Sequence, residues 1–380
     1  MQPTDIYALV ARLNNLHEIF RVQGEILSCG EEIVKPLAAL LLSEPSGFPE
    51  PRVAAAECLG TIGSDKAVDA LIRVLDYFDL ETLGPVQRFA EETVRNAAAR
   101  RLARFRRARV IDALLSSLTR DHLIGAGEAL AQLEDTRAIP YLIECLEDDY
   151  KKEKAMDALR QFDQPAVLYL CEAVSSPRFV KGVEPPLSQE RRSRAAELLG
   201  RLKSPDAVPT LETGLRDEND QVRVACAVAL AGIGITTAAV LCQLIAGLDD
   251  PDLIMRKSCE EALQKSGSKA VPLISDAAGG HAIHIAPQVE LCLSLSARLV
   301  AIKILGLIPD ASAALCLMNQ LKDPEEIVRY RTVAALGNFK EAQVRSALVQ
   351  VMRNDPSRRV RIRARQALQA PMRRNVVESI

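Results

Sequence analysis

The chain lacks tryptophan entirely, and aromatic residues make up only 4% of its 380 positions. Aromatic and β-branched residues, which favour strands, are thinly spread, while Ala, Leu and Arg abound, so the composition points to helices. No charge of one sign dominates: 48 basic residues face 50 acidic ones, a net charge of −2. That balance supplies no long-range field for nucleic acid or anionic lipid. There is no glycine-rich phosphate loop, no GxSxG and no HExxH, which removes the common nucleotide-binding, serine-hydrolase and zinc-protease signatures. Nine cysteines are present without a single CxxC pair, so neither a zinc knuckle nor a redox dithiol is written locally. Met1 to Phe20 contains Asp5, Arg12, His17 and Glu18 and no uninterrupted apolar core, so it is not expected to act as a secretory leader.

What is present is a frame. Ten leucines recur: Leu59, Leu102, Leu130, Leu159, Leu199, Leu230, Leu263, Leu305, Leu336 and Leu368. Four residues before them stand Ala55, Ala98, Ala126, Ala155, Ala195, Cys226, Cys259, Ala301, Thr332 and Ala364. Seven before them stand Arg52, Arg95, Leu123, Lys152, Arg192, Arg223, Arg256, Arg298, Arg329 and Arg361, with Leu123 alone breaking the basic column. A period near 30 residues is the mark of stacked helical repeats, in which each unit contacts only its neighbours. Each repeat reads as helix, turn, helix. Between Asp220 and Asp249, Val222, Cys226, Leu230 and Ile233 form one apolar stripe at helical spacing. Second helices often carry an early proline, as at Pro140, Pro209 and Pro272, where the missing amide hydrogen is not needed. The expected fold is all-α, a right-handed α-α superhelical solenoid without a sheet. A capping repeat is expected at 1–42, the solenoid at 43–370 and a tail at 371–380.

Two features imitate other classes. Val224 to Leu248 carries no charged residue and meets the length of a bilayer span, but it contains the frame residues Cys226 and Leu230 and the turn Gly232-Ile233-Gly234. It is read as two buried helices. Cys226 and Cys259 occupy the small column, and Cys171 and Cys242 align with second-helix leucines such as Leu71 and Leu211. Buried free thiols of this kind behave as small hydrophobes and suit a reducing, cytoplasmic compartment.

Asp323-Pro324-Glu325-Glu326-Ile327-Val328-Arg329 followed by Ala334-Ala335-Leu336-Gly337 resembles the HEAT repeat, in the short subtype of phycobilisome bilin lyases. Asp217 to Arg223, Asp250 to Arg256 and Asp355 to Arg361 repeat the pattern, and the resemblance runs from about Arg52 to Leu368. It implies the fold strongly and activity weakly. Asp217, Asp250, Asp323 and Asp355 each stand six residues before an arginine of the column. They are expected to cap the helix start while pairing with an arginine ladder.

Three gaps between frame leucines are long, and the excess lies in Phe78–Gln87, Pro177–Gln189 and Gly279–Glu290, with a shorter relative at Ser43–Glu50. All follow a second helix. Insertions on one side of a repeat array are frequently its binding face, while drift in surface loops explains them equally well. Within Pro177–Gln189, Arg178, Phe179 and Lys181 combine apolar and basic contacts and are the candidate partner-binding residues.

Other chemistry is sparse. His281 and His284 have the spacing to share a metal with Glu290 or Cys292, but a site needs three or four ligands. His17-Glu18 resembles the iron-binding pairs of HEAT-type deoxyhypusine hydroxylases, which use several such pairs where this chain has one. Arg95, Arg100, Arg101, Arg104, Arg106, Arg107 and Arg109 form one basic cluster. Arg353, Arg358, Arg359, Arg361, Arg363, Arg365, Arg373 and Arg374 form another. HEAT-like DNA glycosylases use a basic concave surface with aromatics; here tryptophan is absent, and a solvated terminal face or an acidic protein partner suits the clusters better than nucleic acid. The resemblance to bilin lyases implies an open-chain tetrapyrrole held by Arg and Lys and polarised by an acidic side chain. The reading adopted is a non-catalytic scaffold for a protein partner, binding on its concave surface and inserted-loop edge. No catalytic residue, metal or cofactor is assigned, and the lyase is the alternative.

Overall fold

A computed structural model describes residues 3–15, 17–286 and 289–369. The expected tail at 371–380, with Arg373 and Arg374, lies outside the described residues. The chain forms two compact units, Met1–Leu170 and Cys171–Ile380.

Unit 1 is a row of helix pairs. Ile19–Ser28 and Val34–Leu41 precede Glu50–Ile62 with Asp65–Val74, Pro85–Leu102 with Ala108–Asp121, and Ile124–Gln132 with Ile139–Glu144. Lys152–Phe162 then leads into Gln164–Ser175, within which the two units meet in sequence. Unit 2 continues the pattern with Pro186–Leu202 and Val208–Gly214, Asp220–Ile233 and Ala238–Ala246, Leu253–Ser266 and Val271–Ala278. Leu295–Leu307 with Ala311–Gln320, Glu326–Leu336 with Ala342–Asn354, and the final Arg358–Gln369 complete it. In both units first helices pack on first helices of the next repeat, and second helices on second helices. This is an all-α solenoid arrangement.

The frame is the core. All ten residues of the small column are fully buried, as are the frame leucines from Leu59 to Leu336. Pro140, Pro209 and Pro272 sit in the first turn of their helices. The charge-free stretch splits into Asp220–Ile233 and Ala238–Ala246 at Gly234, whose φ of +103° is open to glycine. No helix among the described residues is long and apolar enough to cross a membrane.

A further column emerges only in three dimensions. The residue after a frame leucine meets the residue before the next frame leucine. A Cβ on Gly200 would stand 2.6 Å from Ala229 Cα, and one on Gly306 would stand 2.6 Å from Ala335 Cβ. Glycine there lets consecutive first helices touch backbone to backbone. The two column cysteines have matched partners as well. Cys226 Sγ would lie 2.4 Å from a Cβ on Gly214, the last residue of the preceding second helix, and Cys259 Sγ 2.4 Å from one on Gly247, just after its own preceding second helix. The larger sulfur thus fills the slot that glycine leaves open. Burial pushes the Cys226 thiol up to about 12 and raises Cys259 as well, which makes them packing groups rather than nucleophiles.

The expectation of no sheet needs one correction. Ile283–Ala286 and Val289–Leu291 form a two-stranded antiparallel sheet in the insertion Gly279–Glu290, reaching one residue beyond it. Gly280, at φ +77°, ends the helical path. The alternation Ile283-His284-Ile285 then favours a strand, with Ile283 buried against the second helices Ala238–Ala246 and Val271–Ala278.

Candidate interaction surfaces

The arginine column is a relay of buried polar contacts. Arg298 Nη2 donates to Asp323 Oδ2 at 2.6 Å, and the Asp323 carbonyl accepts from Arg329 Nη1 at 2.8 Å. Arg329 Nε donates to Asp355 Oδ2 at 2.9 Å, and the Asp355 carbonyl accepts from Arg361 Nη1 at 2.6 Å. Arg329 therefore grips the loop before its own helix through a carbonyl and the loop of the next repeat through a carboxylate. Arg192 likewise pairs with Asp217, whose carbonyl takes Arg223 Nη1 at 2.7 Å. A cleft of about 560 Å³ lies where the Asp323-Pro324 and Asp355-Pro356 loops meet, with Arg329 among its lining residues.

The capping role expected of these aspartates is corrected. Asp217 Oδ1 accepts from the Asn219 amide at 2.9 Å, and it is Asn219 that caps Asp220–Ile233 through the Val222 amide. Asp250 stands in the same relation to Asp252, Asp323 to the Glu325 amide and Asp355 to the Ser357 amide. The aspartate closes a turn two residues ahead of the helix, which leaves its other oxygen for the arginine of the preceding repeat. One rung is missing. Arg223 turns to Asp220, and no arginine among the described residues bonds the Asp250 carboxylate. Burial, with the charges of Asp252 and Asp220 behind it, holds the Asp250 carboxyl above the usual aspartate range.

In unit 1 a glutamate that the sequence reading missed does the same work. Glu91, fully buried, accepts from Arg52 Nη1 at 2.6 Å and from Arg95 Nε at 3.2 Å. Arg52 also donates to the Leu41 carbonyl at 2.9 Å, and Arg95 reaches Asp121 and the Phe78 carbonyl. The only sequence signal for Glu91 is its place four residues before Arg95 on one helix.

The two basic clusters part company. In the first, Arg100 pairs with Glu128 at 2.5 Å, Arg101 with Glu57 at 2.8 Å, Arg106 with Glu134 at 3.6 Å, and Arg107 with Asp65. Arg109 reaches Asp69 at 2.5 Å, and Arg104 meets the Gly60 carbonyl. In the second, Arg361 meets the Asp355 and Pro356 carbonyls, and Arg363 lies over the Tyr330 ring and donates to Gln366. Among the described residues, none of Arg353, Arg358, Arg359, Arg361, Arg363 and Arg365 pairs with a carboxylate.

The insertion 177–189 is a tight hairpin turn rather than a floppy link. Val180 and Val183 exchange backbone hydrogen bonds at 2.9 and 3.1 Å, with Lys181 and Gly182 at φ +51° and +81° between them. Its base is tied down. The Arg178 amide donates to Ser188 Oγ at 3.0 Å, Ser188 donates to Glu184 Oε1 at 2.7 Å, and Glu184 Oε2 accepts from Arg192 at 3.0 Å. Phe179, Val180, Lys181 and Val183 are left exposed at the tip. The structure thus brings Arg178, Phe179 and Lys181 together on one projection. In unit 1 the loops 43–50 and 78–87 also meet, Gln87 Nε2 donating to the Pro45 carbonyl at 3.4 Å, beside exposed Phe48, Val86 and Phe89.

His284 lies opposite Glu290 across the strand pair, with Nδ1 3.6 Å from its carboxylate, and His281 is exposed before the strand. Glu18, beside His17, is engaged by Arg12 at 2.9 Å. Among the described residues no three His, Cys, Asp or Glu side chains gather as metal ligands would.

Comparison with known families places the frame. The model for HEAT repeats matches residues 176–264 and 293–369, and that for the PBS lyase HEAT-like repeat matches 51–77 and 124–148. The chain is a HEAT-repeat protein. The PBS lyase type of repeat is found in unit 1, and no curated protein matches the chain. Among solved structures, Kap121p is similar over 91% of this chain and 42% of its own, at 12% identity and a TM-score of 0.50. Human deoxyhypusine hydroxylase is 23% identical over 69% of this chain and 96% of its own, with a TM-score of 0.28. The complex of CpcE and CpcF of phycocyanin lyase from a Nostoc species gives 21% identity over 75% of this chain and 92% of that one, also at 0.28. These likenesses concern the fold alone.

Proposed function

We propose that this HEAT-repeat protein is a non-catalytic scaffold that holds a protein partner on its inserted-loop edge and the adjoining second-helix face. Phe179, Lys181 and Arg178 are its contacts in unit 2. One observation carries the reading: Phe179 is 60% and Val183 69% exposed on a turn whose base is fixed by Glu184, Ser188 and Arg192. Holding apolar side chains in water on an ordered projection costs free energy that a binding partner recovers by covering them. Pre-ordering also spares the entropy of fixing a loop on association. A partner spanning the turn and the neighbouring helices would bury on the order of 1,200–2,000 Å². A cytoplasmic setting suits the buried free thiols.

The test must spare the base of the loop, because deleting 177–189 would also remove Glu184 from Arg192. Phe179→Ser with Val183→Ser alters the tip alone. Affinity purification from the native host with mass spectrometry should recover a partner with the parent protein, and far less of it with the double variant. Equal recovery would remove the turn from the site. A second reading, a bilin lyase subunit, is supported by the PBS lyase HEAT-like repeats at 51–77 and 124–148. Tetrapyrrole absorbance retained through purification would favour it over the scaffold.

A further inference from the structure

The last helix of unit 2 offers a second surface, separate from the hairpin turn. Arg358–Gln369 holds five arginines and no acidic residue. Val360 and Ala364 bury one face against the preceding repeat, and Arg361 and Arg363 are engaged by carbonyls, Gln366 and the Tyr330 ring. The opposite face is exposed. Ile362, 47% exposed, has Arg358 and Arg359 one turn before it and Arg365 one turn after it, the spacing at which helical side chains are neighbours. Among the described residues no carboxylate lies within ion-pair reach of these three arginines.

Many of the other clustered arginines are met by carboxylates. Arg192, Arg298 and Arg329 each bind an aspartate of the next repeat, and the exposed arginines from Arg100 to Arg109 are paired across repeats. Around Arg358–Gln369 no described neighbour supplies an acid to the outward arginines. We propose that this face binds an acidic amphipathic segment of a partner protein, its carboxylates on Arg358, Arg359 and Arg365 and an apolar side chain on Ile362. Nucleic acid fits less well. A phosphate backbone has nothing to place against an isoleucine at the centre of the charge, and no exposed aromatic stands among these arginines to stack a base.

Fluorescence anisotropy on the full chain tests this with three probes. They are a short labelled peptide of Asp and Glu with two leucines one helical turn apart, the same peptide with alanines for the leucines, and a short single-stranded DNA. The leucine peptide should bind, and bind less as salt rises. Substituting Arg358→Gln, Arg359→Gln and Arg365→Gln together should weaken it about tenfold, and Ile362→Ser several-fold, with circular dichroism unchanged. The Phe179→Ser, Val183→Ser protein should bind it normally, so that failure here and failure of the hairpin reading are separate results. Absence of binding, equal affinity for the alanine peptide, DNA binding as tight as the leucine peptide, or an unaltered triple variant would each overturn the assignment.

Discussion

Two arginine-rich helices end in different roles. In Pro85–Leu102 and the turn after it, every arginine of the cluster finds a carboxylate or a carbonyl from another repeat, and Arg95 is fully withdrawn from water. In Arg358–Gln369 the inward arginines are engaged by neutral groups and the outward ones have no acid. The difference lies in position. Around the interior cluster the adjoining repeats supply Glu57, Asp65 and Glu128, while among the described residues no neighbour supplies an acid to the outward face of Arg358–Gln369. A basic run in a repeat protein is therefore stacking chemistry when a neighbour carries matching acid, and recognition chemistry when none does.

The largest test of the paired side is Glu91. Glu91→Ala leaves Arg52 and Arg95 buried without their shared carboxylate and should cost about 3–5 kcal/mol in urea melts. A loss below about 1 kcal/mol would mean that water or other groups already serve these guanidiniums. Next come two rungs of one column. Arg329→Met removes the partner of buried Asp355 and should cost about 3 kcal/mol, because it strands a charge. Arg361→Met, which gives up only carbonyl contacts at the exposed end, should cost about 1 kcal/mol. Similar losses at both would erase the distinction between closed and open rungs. The smallest effect belongs to the missing rung. Because the folded Asp250 pKa is raised, the folded state resists its ionisation, and stability falls as pH climbs from about 4 through the raised value. Asp250→Asn should raise the melting temperature at pH 7 by a degree or two, and the gain should vanish below about pH 4.

Much of this architecture is readable from the chain before any coordinates. The Ala and Leu columns mark buried positions, since packing between repeats repeats its demands at a fixed period, and Pro140, Pro209 and Pro272 mark helix starts. Partners across repeats are harder to read. Asp323 looks like a cap because it stands close before a helix, yet its carboxylate belongs to Arg298, 25 residues earlier. Glu91 joins Arg52 across 39 residues, a pairing that local spacing cannot announce. The meeting of Gly200 with Ala229 shows only when two helices are laid side by side. The strand pair at 283–291 falls in an insertion outside the frame, where Gly279-Gly280 and one apolar alternation are the sole cues. The insertion 177–189 is visible as an excess of length, whereas its turn at Val180–Val183, with Phe179 and Lys181 at the tip and Arg178 at the base, is not. That Glu184 anchors it to the arginine column is not visible.

The central claim, that a neighbouring acid decides whether an arginine serves stacking or recognition, reduces to one paired measurement. Urea denaturation of a triple variant of the interior cluster, Arg100→Gln, Arg107→Gln and Arg109→Gln, is set beside that of Arg358→Gln, Arg359→Gln and Arg365→Gln. The account predicts a loss of about 1–2 kcal/mol for the interior triple, from ion pairs worth a fraction of a kcal/mol to about 1 kcal/mol each, and no measurable loss for the terminal one. Equal losses, or a larger loss from the terminal triple, would contradict it.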